Sequence, residues 1–87
     1  MHPRMVLIAE FHATIELFEG QFAERHEGER LIATLDLINR GELQLAAEIF
    51  AENIHDFQIE VTHDVRQKLQ EIFKAVNVPE IYRKMLL

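Results

Sequence analysis

The sequence contains no cysteine and no serine, and these two absences exclude several kinds of functional site. Without cysteine, the 87-residue chain has no disulfide framework and no thiolate ligand for a metal. Without serine as well, the hydroxyl groups left for a nucleophile are those of Thr14, Thr34, Thr62 and Tyr82. A domain of this size also leaves little room for a closed substrate pocket. We therefore expect a protein that is not an enzyme and that uses no cofactor.

Proline and glycine are scarce, with two prolines and three glycines in the chain. Gly20, Gly28 and Gly41 are isolated from one another, so the sequence has no glycine-rich loop for phosphate binding. This scarcity favours long helices over turn-rich β architectures, and a hydrophobic share of 48% argues against disorder. We expect residues 1–87 to form a single all-α domain, a small bundle of four to five helices.

Long hydrophobic runs are also absent near the start of the sequence, where a run of only five apolar residues, Met5–Ala9, leads to Glu10. This run is too short for the core of a signal peptide and far too short to span a membrane. Without cysteine the chain can form no disulfide, so the cytosol is the simplest expectation. We therefore expect a cytoplasmic protein with no membrane partner.

Hydrophobic periodicity predicts four helices, and Pro79 could open a short fifth one. The predicted ranges are Pro3–Glu19, Glu27–Arg40, Glu42–Phe57, Thr62–Ala75 and Pro79–Met85. We expect Gly20 to end the first helix, which is apolar over much of its circumference and should be the most buried. Gly41 is expected to take the left-handed conformation after the second helix, and Thr62 to cap the fourth.

Charge is distributed unevenly along this chain, whose net charge is −6. Residues 41–60 contain five acidic residues and neither lysine nor arginine, whereas residues 61–87 contain five basic and three acidic residues. An acidic surface repels nucleic acid and attracts a basic protein. The charge pattern therefore predicts a basic protein partner and no nucleic-acid partner.

The third predicted helix carries the most informative surface pattern. Glu48, Glu52 and Asp56 follow one another at four-residue spacing, so they form a row of carboxylates on one face. Such a row is either a solvated face or an acidic docking surface. Leu45 and Ile49 lie beside it, either as an apolar hot spot framed by carboxylates or as core residues packed on the first helix. The predicted partner-binding residues are Glu42, Leu45, Glu48, Ile49, Glu52, His55, Asp56 and Glu60.

Two matches to the pattern Glu-x-x-His, at Glu52–His55 and Glu60–His63, invite comparison with the di-iron sites of four-helix bundles. About one match is expected by chance in a chain with five histidines and 15 acidic residues. The second match spans a predicted loop, and Glu52 and His55 point away from the apolar stripe of their helix. Di-iron ligands project into the bundle instead. We therefore expect no metal site and interpret both histidines as solvated.

A series of short motifs runs through the middle of the chain. The series is Leu31-Ile32-x-x-Leu35-x-x-Ile38-x-x-Gly41-Glu42, then Ala46-x-Glu48, then Ile54, Phe57 and Ile59. This order resembles the MafI family of immunity proteins from bacterial polymorphic toxin systems, which are short helical proteins. The resemblance covers about residues 31–78, just over half of the sequence.

The resemblance implies a function as well as a fold. A protein of this family would bind the cognate C-terminal toxin domain of a secreted effector in the cytoplasm of the producing cell. Such toxin domains are often basic nucleases. The carboxylates of the inhibitor would then pair with the lysines and arginines that hold nucleic-acid phosphates, and the active site would be occluded.

Two other functions have to be weighed against this hypothesis. A helical adaptor or regulatory module could act through dimerisation or by binding a partner helix, because unburied apolar surface on the first helix needs a partner. A helix-turn-helix DNA-binding protein is disfavoured by the acidic segment at residues 41–60. The sequence thus predicts a monomer or a weak homodimer whose main partner is another protein.

Overall fold

A computed structural model describes residues 3–86, and within this range the chain forms six helices and no strand. The helices are α1 (Pro3–Glu16), α2 (Glu19–Glu24), α3 (Gly28–Asn39), α4 (Leu43–Asp56), α5 (His63–Ala75) and α6 (Glu80–Lys84). The predicted all-α class is confirmed. Five of the six helices correspond to predicted ones, and α2 is an additional short helix. None of the helices in residues 3–86 combines the length and the apolar character that crossing a membrane requires.

The expected end of the first helix at Gly20 is wrong. Helix α1 ends at Glu16, and the amides of Leu17 and Phe18 donate to carbonyls three residues back, which tightens the last turn. The chain then resumes as α2, with Gly20 inside its first turn. The turn between α1 and α2 brings both Phe18 and Phe22 into the core, where both are almost fully buried.

A cluster of phenylalanine rings forms the centre of the core. Phe50 of α4 lies 5.1 Å from Phe18 and 6.0 Å from Phe22, measured between ring centroids. Phe11 of α1 meets Phe73 of α5 edge to face at 6.3 Å. Edge-to-face and stacked arrangements are those that aromatic rings prefer, and they add to the stabilisation from burial. Phe22 and Phe50 therefore join α2 to α4, and Phe11 and Phe73 join α1 to α5.

Helix α4 is the most buried helix, and the expectation that this would be α1 is wrong. Seven of the 14 residues of α4 are buried, compared with Phe11, Thr14 and Ile15 in α1. Small Ala46, Ala47 and Ala51 let neighbouring helices approach α4 closely. Helix α1 is apolar on several sides, but only one side faces the core, so much of its apolar surface stays exposed.

The ends of the helices follow the expected capping chemistry at two positions. Thr62 accepts a hydrogen bond from the Val65 amide at 3.4 Å, which confirms it as the N-cap of α5. Gly41 has φ of +82°, which confirms the left-handed conformation after α3. The Arg4 side chain donates to the Gly41 carbonyl and so ties the start of α1 to the loop before α4.

Gln21 of α2 and Arg25, the residue that follows this helix, hold the segment after α4. The Gln21 amide group donates to the Glu60 carbonyl and accepts from the Glu60 amide, both at 2.9 Å. The Arg25 guanidinium donates to the carbonyls of Phe57 at 2.9 Å and Gln58 at 3.4 Å. These carbonyls follow the end of α4, where helical partners are lacking. Helix α2 therefore fixes where α4 ends and how the chain leaves it.

Candidate protein-binding site

Helix α4 places six of the eight predicted partner-binding residues on its exposed side. Its buried residues occupy one half of the helical wheel, and the other half carries a polar and partly apolar face. This face, which we call the α4 outer face, consists of Gln44, Leu45, Glu48, Ile49, Glu52, His55 and Asp56. Glu42 precedes the helix as its N-cap residue and Glu60 lies in the loop after it. The eight residues thus spread over the whole length of α4, about 20 Å.

The carboxylates of Glu48, Glu52 and Asp56 run along the middle of the α4 outer face. Successive members are one turn apart, or about 6 Å along the helix axis. Glu52 and Asp56 are exposed and Glu48 is half-buried. Neighbouring like charges at this spacing disfavour the helix by a few tenths of a kcal/mol per pair. The row therefore slightly lowers the free energy of unfolding, and burial of the apolar core has to offset this loss.

No basic side chain of residues 3–86 forms an ion pair with this acidic row. Three of the basic residues pair with acids outside α4, as Arg30–Glu27 at 2.8 Å, Arg40–Asp36 at 3.1 Å and Lys68–Glu10 at 3.1 Å. Other arginines donate to backbone carbonyls, namely Arg4, Arg25 and Arg66. Most of the basic side chains thus have partners outside the acidic row, and the negative electrostatic potential of the row extends into solvent.

Leu45 and Ile49 lie on the surface and not in the core. Leu45 is 46% exposed, Ile49 is half-buried, and neither belongs to the apolar cluster that fills the interior. Gln44, on the opposite edge of the α4 outer face, donates to the Asn77 carbonyl after α5. By helical periodicity, Ile49 lies at the edge of the face away from Gln44, and Leu45 lies between these two residues. Helices α3 and α6 both pack against α4.

Helix α3 adds two apolar residues that the sequence reasoning missed. The Arg30 guanidinium lies 5.5 Å from the centroid of the Phe57 ring, so the flank of α3 that carries Arg30 borders α4. Ala33 and Leu37 follow on the same flank by helical periodicity. Ala33 is exposed and Leu37 is half-buried. Hydrophobic periodicity did not predict that Ala33 and Leu37 belong to this surface. It shows which side of a single helix is apolar, but not which sides of two helices lie next to each other.

The two Glu-x-x-His matches do not converge in the fold. Glu52 and His55 are exposed on α4, Glu60 is in the following loop, and His63 is exposed at the start of α5. Across residues 3–86, no group of three histidine, aspartate or glutamate side chains is placed to hold a metal ion. These histidines and acids are therefore surface groups in this structure, and His55 belongs to the α4 outer face.

Comparison with known proteins gives no assignment: no family model, no curated protein and no solved structure matches the chain. The α4 outer face and its surroundings are therefore the basis on which a function has to be argued.

Proposed function

We propose that this protein is an immunity protein that binds a basic toxin domain through the α4 outer face and blocks the nucleic-acid site of that toxin. The action is binding and not catalysis. The partner is a protein with a cluster of lysine and arginine side chains, such as the phosphate-binding groove of a nuclease. The complex would form in the cytoplasm of the producing cell, before the toxin reaches nucleic acid.

One observation carries this proposal: the row of Glu48, Glu52 and Asp56 has no ion pair within residues 3–86. Three like charges on one helix oppose folding slightly, so an advantage outside the free chain is the simplest reason for them. A basic partner would supply the missing positive charges. The acidic field would also accelerate encounter with that partner, which suits an inhibitor that must act quickly.

The apolar residues beside the row support protein binding over a merely solvated face. Charged rows alone give little affinity, because exposed ion pairs contribute about 0–1 kcal/mol each. Interfaces gain most of their affinity from a few central residues from which water is excluded. Leu45 and Ile49, with Ala33 and Leu37 of α3 alongside, would form that centre and the carboxylates its rim. The motif resemblance to MafI immunity proteins points to the same class of partner.

The first test is capture of the partner from a lysate of the organism that encodes this protein. We expect the protein to retain a basic toxin domain at low salt and to lose most of it at about 0.5 M salt, where surface charges are screened. Co-expression should then protect cells from that toxin. If the captured toxin still kills cells at saturating amounts of this protein, the proposal of neutralisation is wrong.

A charge-reversal variant tests whether the acidic row makes the contact. Replacing Glu48, Glu52 and Asp56 with lysine should keep the helix intact, because lysine is a good helix former. We expect toxin affinity to fall by about 100-fold or more, since three attractive pairs become repulsive. Calorimetry with the captured toxin domain measures the affinity, and circular dichroism checks the fold.

The matched control reverses three exposed acids elsewhere. Replacing Glu24, Glu29 and Glu71 with lysine changes the net charge by the same amount on α2, α3 and α5. Long-range steering weakens equally in both variants, whereas direct contacts are lost only in the α4 variant. Equal affinities for the two variants would show that net charge matters and that the acidic row does not.

A further inference from the structure

A second surface, on α1, is apolar, exposed and separate from the α4 outer face. Met5, Ala9 and Ala13 follow one another at four-residue spacing, and Leu17 continues the spacing in the turn after α1. All four are exposed, Met5 by 69% and Leu17 by 67% of the side chain's full area. We call these four residues the α1 stripe. A helix of a monomeric protein usually has polar residues on its outer side, so this face is unpartnered.

The α1 stripe is uncharged, and the acids beside it differ in their surroundings. Glu10 lies 3.1 Å from the Lys68 ammonium group and is paired with that charge. Glu16 lies 2.9 Å from a ring nitrogen of His12, a contact that leaves this end of α1 acidic. A second copy that meets this face has to present an uncharged stripe and, beside Glu16, a positive end.

The ends of α1 are complementary to those of an antiparallel second copy. Helix α1 has no acid in its first turn and no base in its last turn, so neither end of its dipole is compensated. The end near Glu16 and Glu19 is acidic. In an antiparallel pair, the positive end of one α1 would lie beside this acidic end of the other.

We infer that two copies of this chain associate through their α1 stripes, antiparallel and related by a two-fold axis between Ala9 and Ala13. The order large–small–small–large along the stripe is unchanged when the helix is reversed, so the same surface serves both copies. Rows at four-residue spacing pack at a crossing angle near −50°, and alanines at the crossing let the axes approach to about 8 Å. Met5 and Leu17 would then flank the crossing on each side.

The expected association is weak. One helix face buries less than the roughly 800 Å² per partner of a stable protein–protein interface. We therefore expect a dimer with a dissociation constant between about 10 µM and 1 mM. This inference does not depend on the proposed function, because α1 carries none of the predicted toxin-binding residues.

Sedimentation equilibrium of the full chain between about 10 µM and 1 mM tests the inference. We expect reversible dimerisation that is unchanged or stronger at about 0.5 M salt, since apolar contacts are not screened. Replacing Ala9 and Ala13 with glutamine adds bulk at the crossing without adding charge. The dissociation constant should rise at least tenfold, and Met5→Gln with Leu17→Gln should act in the same direction.

Ala23→Gln is the matched control, because Ala23 is an exposed alanine of α2 that belongs to neither surface. It should leave dimerisation unchanged, and circular dichroism should show all variants folded. A wild-type chain that stays monomeric up to about 1 mM would overturn the inference. A dimer that survives the α1 replacements, or that Ala23→Gln weakens equally, would overturn the assignment to this face. Toxin capture by the α1 variants keeps the two proposals separable.

Discussion

Single residues in the left-handed conformation end four of the helices. His26, Gly41, Gln58 and Asn77 have φ between +51° and +82°. In each case the residue's amide donates three residues back, and the next amide donates five residues back. This is the Schellman motif, which satisfies carbonyls that have no partner at a helix end. Glycine occupies one of the four positions, so side chains at the other three accept backbone strain.

The strain at Gln58 can be removed by glycine. We expect Gln58→Gly to raise the free energy of unfolding by about 0.5 kcal/mol, because the gain in the left-handed region exceeds the entropy cost of glycine in the unfolded chain. Within residues 3–86 the Gln58 side chain makes no hydrogen bond that would be lost, since the contact with Arg25 uses the backbone carbonyl of Gln58. Urea denaturation monitored by circular dichroism measures the change.

Gln67→Gly supplies the comparison for this experiment. Gln67 is exposed within α5, where glycine should lower the stability by about 1 kcal/mol. A loss of stability in Gln58→Gly similar to that in Gln67→Gly would contradict the explanation by strain.

Sequence reasoning predicted these terminal residues only in part. Gly41 could be predicted because glycine is the usual residue after a helix, and the position of Thr62 followed from its side-chain oxygen. Nothing in the chemistry of Gln58 favours a left-handed backbone, and histidine such as His26 favours it only mildly. Their conformation is imposed by Ile59 and other residues beyond the helix ends that have to reach the core.

At the scale of helices, α2 is the element that could not be predicted. Ile15, Phe18 and Phe22 recur at three- and four-residue spacing, which is compatible with one continuous helix. The break at Leu17 and Phe18 follows from packing around Phe50, and a periodic pattern contains no information on that packing. Gly20 was a misleading signal, since glycine is also tolerated in the first turn of a helix.

The junction between α2 and α4 gives a prediction at this scale. Arg25→Met removes three hydrogen bonds to the carbonyls of Gln21, Phe57 and Gln58 but keeps an apolar side chain of similar length. We expect the free energy of unfolding to fall by about 2 kcal/mol, because partly buried carbonyls would lose a charged donor. Thermal or urea unfolding provides the measurement.

Arg40→Met is the control for Arg25→Met. Arg40 makes an exposed ion pair with Asp36, and such pairs contribute little. We expect a change of about 0.5 kcal/mol or less. If the two variants lost equal stability, the hydrogen bonds from α2 would not be what holds the end of α4.

At the scale of the whole molecule, the acidic charge should respond to salt in two opposite ways. The net charge is −6, and the acidic row on α4 has no ion pair within residues 3–86. Screening reduces repulsion among these acids in the free protein, so we expect the melting temperature to rise between about 20 mM and 0.5 M sodium chloride. The complex with a basic partner should weaken over the same range.

A neutral variant identifies the source of the salt effect. Glu48→Gln, Glu52→Gln and Asp56→Asn together should raise the melting temperature at low salt and flatten its salt dependence. Differential scanning calorimetry compares the two proteins. A wild-type melting temperature that falls with salt would mean that attraction, and not repulsion, dominates the charge interactions of the free chain.

The sequence predicted the row of carboxylates in the candidate site, but not which apolar residues lie exposed beside that row. Four-residue spacing placed the three carboxylates on one face from the sequence alone. Whether Leu45 and Ile49 were core or surface residues depended on which helices flank α4, and periodicity cannot tell this. The same limit explains why α1 was expected to be the most buried helix, since an apolar sequence does not state how many of its sides find a neighbour.

One side of α4 stabilises the fold, since seven of its 14 residues are buried in the core. The other seven contribute little to the interior, so their identities are nearly free of the requirements of folding. Substitutions on that side can change which partner is bound while the same bundle is kept. A protein that binds a toxin as proposed could therefore change its specificity in small steps and stay folded at each of them.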